Sequence, residues 1–167
     1  CCLELNSLSK AHNMAGWRIG MVAADAEIIS QILKVKSQMD SGMFKPLQLA
    51  AVKALEQGSG WFTELNDEYR RRRVLAGAIF DMLGVEYDHS SAGMFLWGKV
   101  PQDVQATEEI SIGQVLSDRI LYDAGVFITP GFIFGKNGED YIRISLCAKP
   151  ETLREAAERI RQAGINR

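Results

Sequence analysis

The sequence predicts an α/β protein in two parts, in which the end of a larger α/β domain precedes a smaller α+β domain. Apolar residues make up 47% of the 167 residues and charged residues 24%, which is typical of a globular protein. Apolar side chains recur at helical spacing over much of residues 25–83. From residue 84 onward, short apolar or alternating runs typical of strands are separated by helical segments.

The first 45 residues are interpreted as the remnant of the larger domain. Residues 3–8 are predicted to form a strand that ends at Ser9 and Lys10, and residues 17–24 a second, returning strand. Asp25 is a predicted N-cap for a helix to about residue 39. The buried face of that helix is expected to carry Ile28, Ile29, Ile32, Leu33 and Val35. Because the chain opens inside a strand and does not begin with Met, we expect it to be a fragment of a longer protein.

Residues 46–61 are predicted to form an interdomain helix, and residues 62–167 a small C-terminal α+β domain. Pro46 starts the interdomain helix, where its missing N–H costs nothing. A long amphipathic helix over residues 61–83 opens the small domain, and its arginine run 70–73 is interpreted as a solvated face. The later elements are predicted strands over 85–87, 94–100, 126–129 and 141–146, and helices over 112–123 and from Pro150 onward.

Charge and cysteine content exclude several classes of protein. The net charge of −2 does not favour binding to nucleic acid or anionic membranes, both of which select a basic surface. The three cysteines, Cys1, Cys2 and Cys147, are a poor disulfide set, because the first two are adjacent and the count is odd. Free thiols predict a reducing compartment such as the cytoplasm. His12 and His89 lack a second ligand at useful spacing, so no metal site is expected.

Lys10 is the first residue with predicted chemistry. A lysine in a partly dry pocket, near other cations, becomes a nucleophilic amine that can form a Schiff base with an aldehyde. Ser7 and Ser9 precede it with two hydroxyls, and a turn over residues 13–16 would return Arg18 to its side. Two hydroxyls and an arginine fork would then form a phosphate site next to the amine. Alternatively, these residues are solvated charges and loop serines at the end of a strand.

The longer string SLSKAHNMAGWRIG, residues 7–20, resembles the lysine signature of the class I/II aminotransferases, which are pyridoxal phosphate (PLP) enzymes of fold type I. That pattern has a serine, two residues, the Schiff-base lysine, and then glycine-x-arginine and a further glycine. The resemblance implies that Lys10 holds PLP and later moves a proton at the substrate Cα. It also implies that Ser7 and Arg18 bind the cofactor phosphate, assisted by Ser9.

A second match lies near the end of the chain, where Arg143 is the single charge in the apolar run YIRISL. A charge in such a strand is costly unless it is paired, so one interpretation is an internal salt bridge to an acid. The resemblance implies instead that Arg143 binds the substrate α-carboxylate through two parallel hydrogen bonds. Residues 129–135 and 92–95 also match the family pattern, and residues 41–48 resemble its interdomain segment.

The resemblance covers only the later part of the family's sequence, from the lysine onward. It therefore implies the C-terminal part of fold type I, a homodimer when the protein is intact, and amino-acid and 2-oxo-acid substrates. Family residues that stack on the cofactor ring and pair with its pyridine nitrogen would lie upstream, so we expect the isolated chain to be inactive. A C–S lyase or decarboxylase of the same fold would share Lys10, Ser7 and Arg18. A more distant alternative is a PLP-binding regulatory domain without enzymatic activity.

Overall fold

The computed structural model of the chain describes residues 2–104, 106 and 109–165. Contacts between residues divide the chain into two compact units, residues 1–62 and residues 63–167. Across the part of the chain that is described, no helix combines the length and the apolar character needed to cross a membrane.

The first unit is built on a two-stranded antiparallel hairpin. Strand β1 (Leu3–Ser7) pairs with β2 (Gly20–Ala24) in a register that matches Leu3 with Ala24 and Ser7 with Gly20. The connection contains a one-turn helix, α1 (Leu8–Ala11), and a 3-10 turn, Ala15–Trp17. Helices α2 (Ala26–Met39) and α3 (Lys45–Leu55) follow, and α4 (Ser59–Leu83) begins within this unit.

A small apolar cluster fixes the hairpin connection against α3. Leu8, Met14 and Ile19 are buried there and pack against a row of alanines at helical spacing on α3. These alanines are Ala50, Ala51 and Ala54. The connection that carries Lys10 therefore makes an apolar contact with α3 through Leu8, Met14 and Ile19.

Two predictions for the first unit need correction. The strand predicted over residues 3–8 ends at Ser7, because the Ser7 hydroxyl caps α1 and turns the chain into a helix that contains Lys10. The returning strand begins at Gly20 rather than at residue 17. Asp25 does cap α2, by accepting from the Glu27 N–H over 3.0 Å.

The predicted buried face of α2 is only partly correct. Ile28, Ile29 and Ile32 are half-buried, whereas Leu33 and Val35 are 58% and 64% exposed. Leu33 follows Ile29 by four residues and Val35 follows Ile32 by three, so both share the helical spacing of the half-buried residues. The packing within the first unit, and not the helical spacing, leaves them exposed. Helix α3 begins at Lys45, one residue before the predicted start at Pro46.

The second unit contains a four-stranded antiparallel sheet with the strand order β3-β4-β6-β5. The strands are β3 (Glu86–Tyr87), β4 (Phe95–Lys99), β5 (Thr129–Pro130) and β6 (Tyr141–Ser145). The central pair places Leu96 opposite Ile144 and Gly98 opposite Ile142. Because side chains alternate along a strand, β6 directs Ile142 and Ile144 into the core and Arg143 to the other face.

Three helices cover the core face of this sheet: the later part of α4, α5 (Ile112–Ala124) and α6 (Pro150–Gln162). Ser111 caps α5 by accepting from the Gln114 N–H, and Pro150 stands in the first turn of α6. The largest fully buried side chains of the unit are Phe80, Ile79, Leu96, Ile120, Ile142, Leu146 and Ile160.

The strand predicted over residues 126–129 is shorter in the structure. Only Thr129 and Pro130 pair with β6, and a 3-10 turn, Gly131–Phe134, follows at once. Gly131 is required here, because a Cβ would lie 2.7 Å from the Tyr141 carbonyl oxygen and 2.9 Å from the Trp97 ring. The backbone of this turn therefore passes directly over the edge of β6 and over Trp97.

The arginine run on α4 is not a uniformly solvated face. Arg70 and Arg71 are exposed, as predicted, but Arg72 is 20% exposed and pairs with Glu68 over 2.8 Å. Arg72 also donates to the Leu146 carbonyl over 3.2 Å, which ties α4 to the end of β6. The hydrogen bond and charge of Arg72 hold the pKa of the Glu68 carboxyl below its usual range.

Candidate active site

Ser7 organises the start of the loop that carries Lys10. Its Oγ accepts from the backbone N–H of Ser9 over 3.1 Å and lies 2.9 Å from the Ser9 Oγ. The Ser7 hydroxyl also lies 3.4 Å from the Ile19 carbonyl oxygen, and the Leu8 N–H donates to the same carbonyl. The hydroxyls of the two serines predicted to bind phosphate therefore lie side by side. The Ser7 hydroxyl also contacts the carbonyl of Ile19, the residue that follows Arg18.

Lys10 lies in the single turn of α1, between the buried Leu8 and the turn at Asn13. Asn13 has a φ of 54°, and its N–H donates to the Lys10 carbonyl oxygen over 3.4 Å. The Lys10 side chain is exposed in the part of the chain that the structure describes. The partly dry pocket expected around this amine is therefore not formed by residues 7–20 themselves.

Arg18 occupies a left-handed position, with φ 52° and ψ 46°, at the end of the 3-10 turn Ala15–Trp17. The prediction that it lies just inside the returning strand is wrong, since β2 starts two residues later. A left-handed backbone conformation is energetically costly for a residue that carries a side chain. Because Arg18 adopts this conformation, the extended strand β2 cannot begin as early as Arg18. The Arg18 Nη1 donates to the Ala15 carbonyl oxygen over 3.0 Å, and the side chain is exposed.

The glycine that closes the signature has a steric role. Gly20 faces Ser7 across the last pair of the hairpin, and a Cβ on Gly20 would lie 2.7 Å from the Asn6 carbonyl oxygen. A side chain at this position would therefore push β1 and β2 apart at Ser7, the residue that caps α1. Spacing in the sequence identified this glycine, but the reason for it appears only in the hairpin.

His12 is a residue whose environment the sequence did not predict. Its ring stacks on Trp61, with centroids 5.6 Å apart and planes 18° apart, and it meets Phe62 edge-on. Its Nδ1 is buried and has no hydrogen-bond partner among the described residues. His12 thus packs the far side of the Lys10 turn against the first turns of α4. A histidine two residues after the lysine gave no sequence signal for this contact.

Arg143, the predicted carboxylate-binding residue, lies in the second unit on the sheet face opposite the helices. Its Nε is buried without a hydrogen-bond partner, and no acidic side chain among the described residues forms an ion pair with it. The internal salt bridge considered from the sequence is therefore absent from the described part of the chain. A donor set without an acceptor favours an incoming anion.

Aromatic rings surround Arg143 in place of an acid. Its Cζ lies 4.3 Å from the centroid of Phe95 and 4.2 Å from that of Phe134. Trp97 meets Phe134 edge-on at 5.7 Å and stacks on Tyr141 at 5.3 Å. The sequence pattern had included residues 92–95 and 129–135, but it assigned no role to these rings.

No group of three or more His, Cys, Asp or Glu side chains within the described ranges is arranged to hold a metal ion. Cys2 and Cys147 are free and exposed, while Cys1 lies outside the described residues.

With this geometry established, comparison with known proteins identifies the family. Residues 2–160 match the family model described as aminotransferase class I and II. The chain therefore belongs to the class I and II aminotransferase family, as the lysine signature predicted.

The curated relatives are longer proteins. The LL-diaminopimelate aminotransferase of Oleidesulfovibrio alaskensis is 39% identical over 158 residues, which are 95% of this chain and 39% of the relative. The enzyme of that name from Aquifex aeolicus is 38% identical over 159 residues, with the same two shares. The chain thus spans about two fifths of the length of the curated relatives it matches.

Solved structures confirm the predicted fold class. An aromatic aminotransferase from Pyrococcus horikoshii superposes with a TM-score of 0.82 at 31% identity, over 98% of this chain and 44% of that one. A probable N-succinyldiaminopimelate aminotransferase from Thermus thermophilus gives a TM-score of 0.78 at 30% identity, over 96% of this chain and 41% of that one. The α/β arrangement is therefore that of the aminotransferase fold.

Proposed function

We propose that the intact protein catalyses PLP-dependent transamination between an L-amino acid and a 2-oxo acid. One observation carries this proposal: Ser7 ends β1, and Ser9, Lys10 and Arg18 lie on the connection from β1 to β2, in a chain that belongs to the aminotransferase family. When bound, PLP supplies the electron sink for this chemistry. The amine of Lys10 would hold the cofactor aldehyde and then move the proton at the substrate Cα.

The donor set of this connection fits a phosphate group. Ser7 and Ser9 place two hydroxyls 2.9 Å apart, and the exposed Arg18 guanidinium is available on the same loop. A phosphate would compete with the Ala15 carbonyl for Arg18, and a charge-assisted bond to an anion is the stronger of the two. Ser7, Ser9 and Arg18 would therefore orient the cofactor, and Lys10 would react with it.

Arg143 would bind the substrate α-carboxylate. Its guanidinium has no acidic partner among the described residues, and its buried Nε lacks an acceptor. An arginine fork binds a carboxylate through two parallel hydrogen bonds, which fixes the orientation of the Cα as well as the affinity. This role concerns the amino acid and the 2-oxo acid alike, because both carry the same carboxylate.

We also propose that the chain divides into three parts. Residues 1–45 would complete a large PLP-binding domain, residues 46–61 would join the domains, and residues 62–167 would form the small domain. The first unit exposes large apolar side chains, among them Leu5 at 73%, Met39 at 75% and Phe44 at 69%. Such exposure on one unit is typical of a surface that another part of the protein covers, and we propose that the intact protein is a homodimer.

The decisive experiment uses the full-length protein with added PLP, a panel of amino acids and a 2-oxo acid acceptor. LL-diaminopimelate is the first donor to test, because relatives at 35–39% identity carry the name of its aminotransferase. Transfer of the amino group to the acceptor supports the proposal. Release of ammonia with a thiol, or of carbon dioxide, would identify a C–S lyase or a decarboxylase instead. PLP binding without turnover would favour the regulatory alternative.

A further inference from the structure

We propose that Phe95 and Phe134 are positioning residues that fix the plane of the Arg143 guanidinium and so determine the direction from which a carboxylate binds. This inference rests on the proposed role of Arg143 and deepens it. The two rings reach Arg143 from different sides of its strand: Phe95 belongs to β4, and Phe134 ends the turn that follows β5. Their centroids lie 4.3 and 4.2 Å from Cζ, well within the range of cation–π contacts.

The position of Phe134 is itself determined by its neighbours. Trp97 meets its ring at 5.7 Å, and Trp97 in turn stacks on Tyr141 with planes 17° apart. Gly131 allows the turn to pass this close, because a Cβ there would collide with the Gly138 and Tyr141 carbonyl oxygens and with the Trp97 ring. Phe134 is 51% exposed, so its place over Arg143 is held by these contacts rather than by burial in a core.

Two rings this close to Cζ restrict the directions from which Arg143 can bind a ligand. All five N–H donors of a guanidinium lie in its plane, and rings over its faces leave only the edge for hydrogen bonding. A carboxylate must then approach in that plane, where it can accept two parallel bonds. A lysine at this position would keep the charge but neither the plane nor the fork. The rings therefore convert a general attraction for anions into selection for a carboxylate in one orientation.

The rival explanation is that the rings only stabilise this face of the sheet. Under that explanation, loss of the Phe134 ring would lower the thermal stability and disturb all ligands alike. Under the proposal, it would weaken carboxylate binding through Arg143 and leave the PLP site untouched. The two explanations differ in whether the effect of Phe134 depends on Arg143.

The test uses full-length holoenzyme and the variants Phe134→Leu, Phe134→Tyr and Phe132→Leu. Phe132 lies in the same turn and, in the described part of the chain, makes no cation–π contact with Arg143, so Phe132→Leu is a matched control. Calorimetry would measure the Kd of a 2-methyl amino acid, which binds but has no Cα proton to lose. Steady-state kinetics would give KM and kcat.

We expect Phe134→Leu to raise the Kd of the 2-methyl amino acid, and the KM of both substrates, about 3- to 30-fold. Phe134→Tyr should have a Kd and KM close to those of wild type, because it keeps the aromatic ring. Phe132→Leu should leave them unchanged, and the affinity for PLP should be constant throughout. An equal loss of PLP affinity and amino-acid affinity in Phe134→Leu would overturn the inference.

A double-mutant cycle gives the sharper result. In an Arg143→Lys background, Phe134→Leu should have little further effect, because there is no planar guanidinium left to position. A full additive effect in that background would assign Phe134 a purely structural role. If wild-type protein binds PLP but transfers no amino group, the proposed function fails. If wild type is active and Phe134→Leu matches it, only the positioning inference fails.

Discussion

The Ser9 N–H donates to the Ser7 Oγ over 3.1 Å, so one serine both caps the turn that carries Lys10 and faces the second serine of the proposed phosphate site. Capping fixes the Ser7 side chain before any ligand arrives. A hydroxyl that is already oriented loses little conformational entropy on binding a phosphate. Structure and proposed function thus depend on the same atom.

Replacement of Ser7 by Ala should have two separable effects. Loss of the cap should lower the free energy of unfolding by about 1 kcal/mol. Loss of the hydroxyl should weaken PLP binding but not the binding of pyridoxal, which has no phosphate. Chemical denaturation and titrations with both ligands would measure these effects in the full-length protein. Ser37→Ala, which removes an exposed hydroxyl on α2, is the control. Equal weakening toward both ligands would argue against a phosphate role for Ser7.

Lys10→Ala should abolish covalent attachment of PLP and leave the fold intact. The side chain is exposed in the described structure, so its removal costs little packing. Borohydride reduction followed by mass spectrometry should find an adduct on the peptide containing Lys10 in wild type and none in the variant. Lys34→Ala, which removes an exposed lysine on α2, should retain the adduct. Persistence of the imine absorbance in Lys10→Ala would rule out this assignment.

Arg143→Leu should weaken amino-acid binding far more than PLP binding. The leucine side chain cannot donate two parallel hydrogen bonds to the carboxylate, and a carboxylate left without its partner costs about 2–5 kcal/mol. Kd values for a 2-methyl amino acid and for PLP, measured on the same preparations, would test this. Arg119→Leu, on the exposed face of α5, is the matched control. A parallel fall in both affinities would show that Arg143 does not act on the substrate.

The ion pair between Glu68 and Arg72 should make stability depend on pH. Arg72 lowers the pKa of Glu68 below its ordinary value of 4.5. The pair therefore stabilises the folded state above the unfolded pKa, and this contribution is lost as the pH falls through the lower folded pKa. The difference in Tm between wild type and Glu68→Gln should be largest near neutral pH and disappear in acid. Glu64→Gln, on the same helix, is the control variant, and a Tm difference for Glu68→Gln that stayed constant with pH would contradict this origin.

The sequence alone predicted the family, the fold class and the order of most elements. The family follows from the resemblance of residues 7–20 to the lysine signature, whereas the elements follow from local rules: Asp25 caps α2, Pro150 opens α6, and alternation along β6 places Ile142 and Ile144 in the core. The lysine signature places Ser7 and Ser9 two residues apart, and residues two apart at the start of a helix always lie close together. The roles of Ser7, Ser9, Lys10, Arg18 and Arg143 stay predictions until the experiments above are done.

Tertiary contacts decided what local patterns could not. Because Ser7 caps α1, Lys10 lies in a helical turn and not at the end of a strand. Because Arg18 has a left-handed conformation, it is not part of β2. The absence of an acid beside Arg143 among the described residues, and the presence of Phe95 and Phe134 there, follow from the pairing of β4 with β6 and from a turn after β5. Residues distant in sequence meet at this sheet face, and no spacing rule encodes which ring covers which charge.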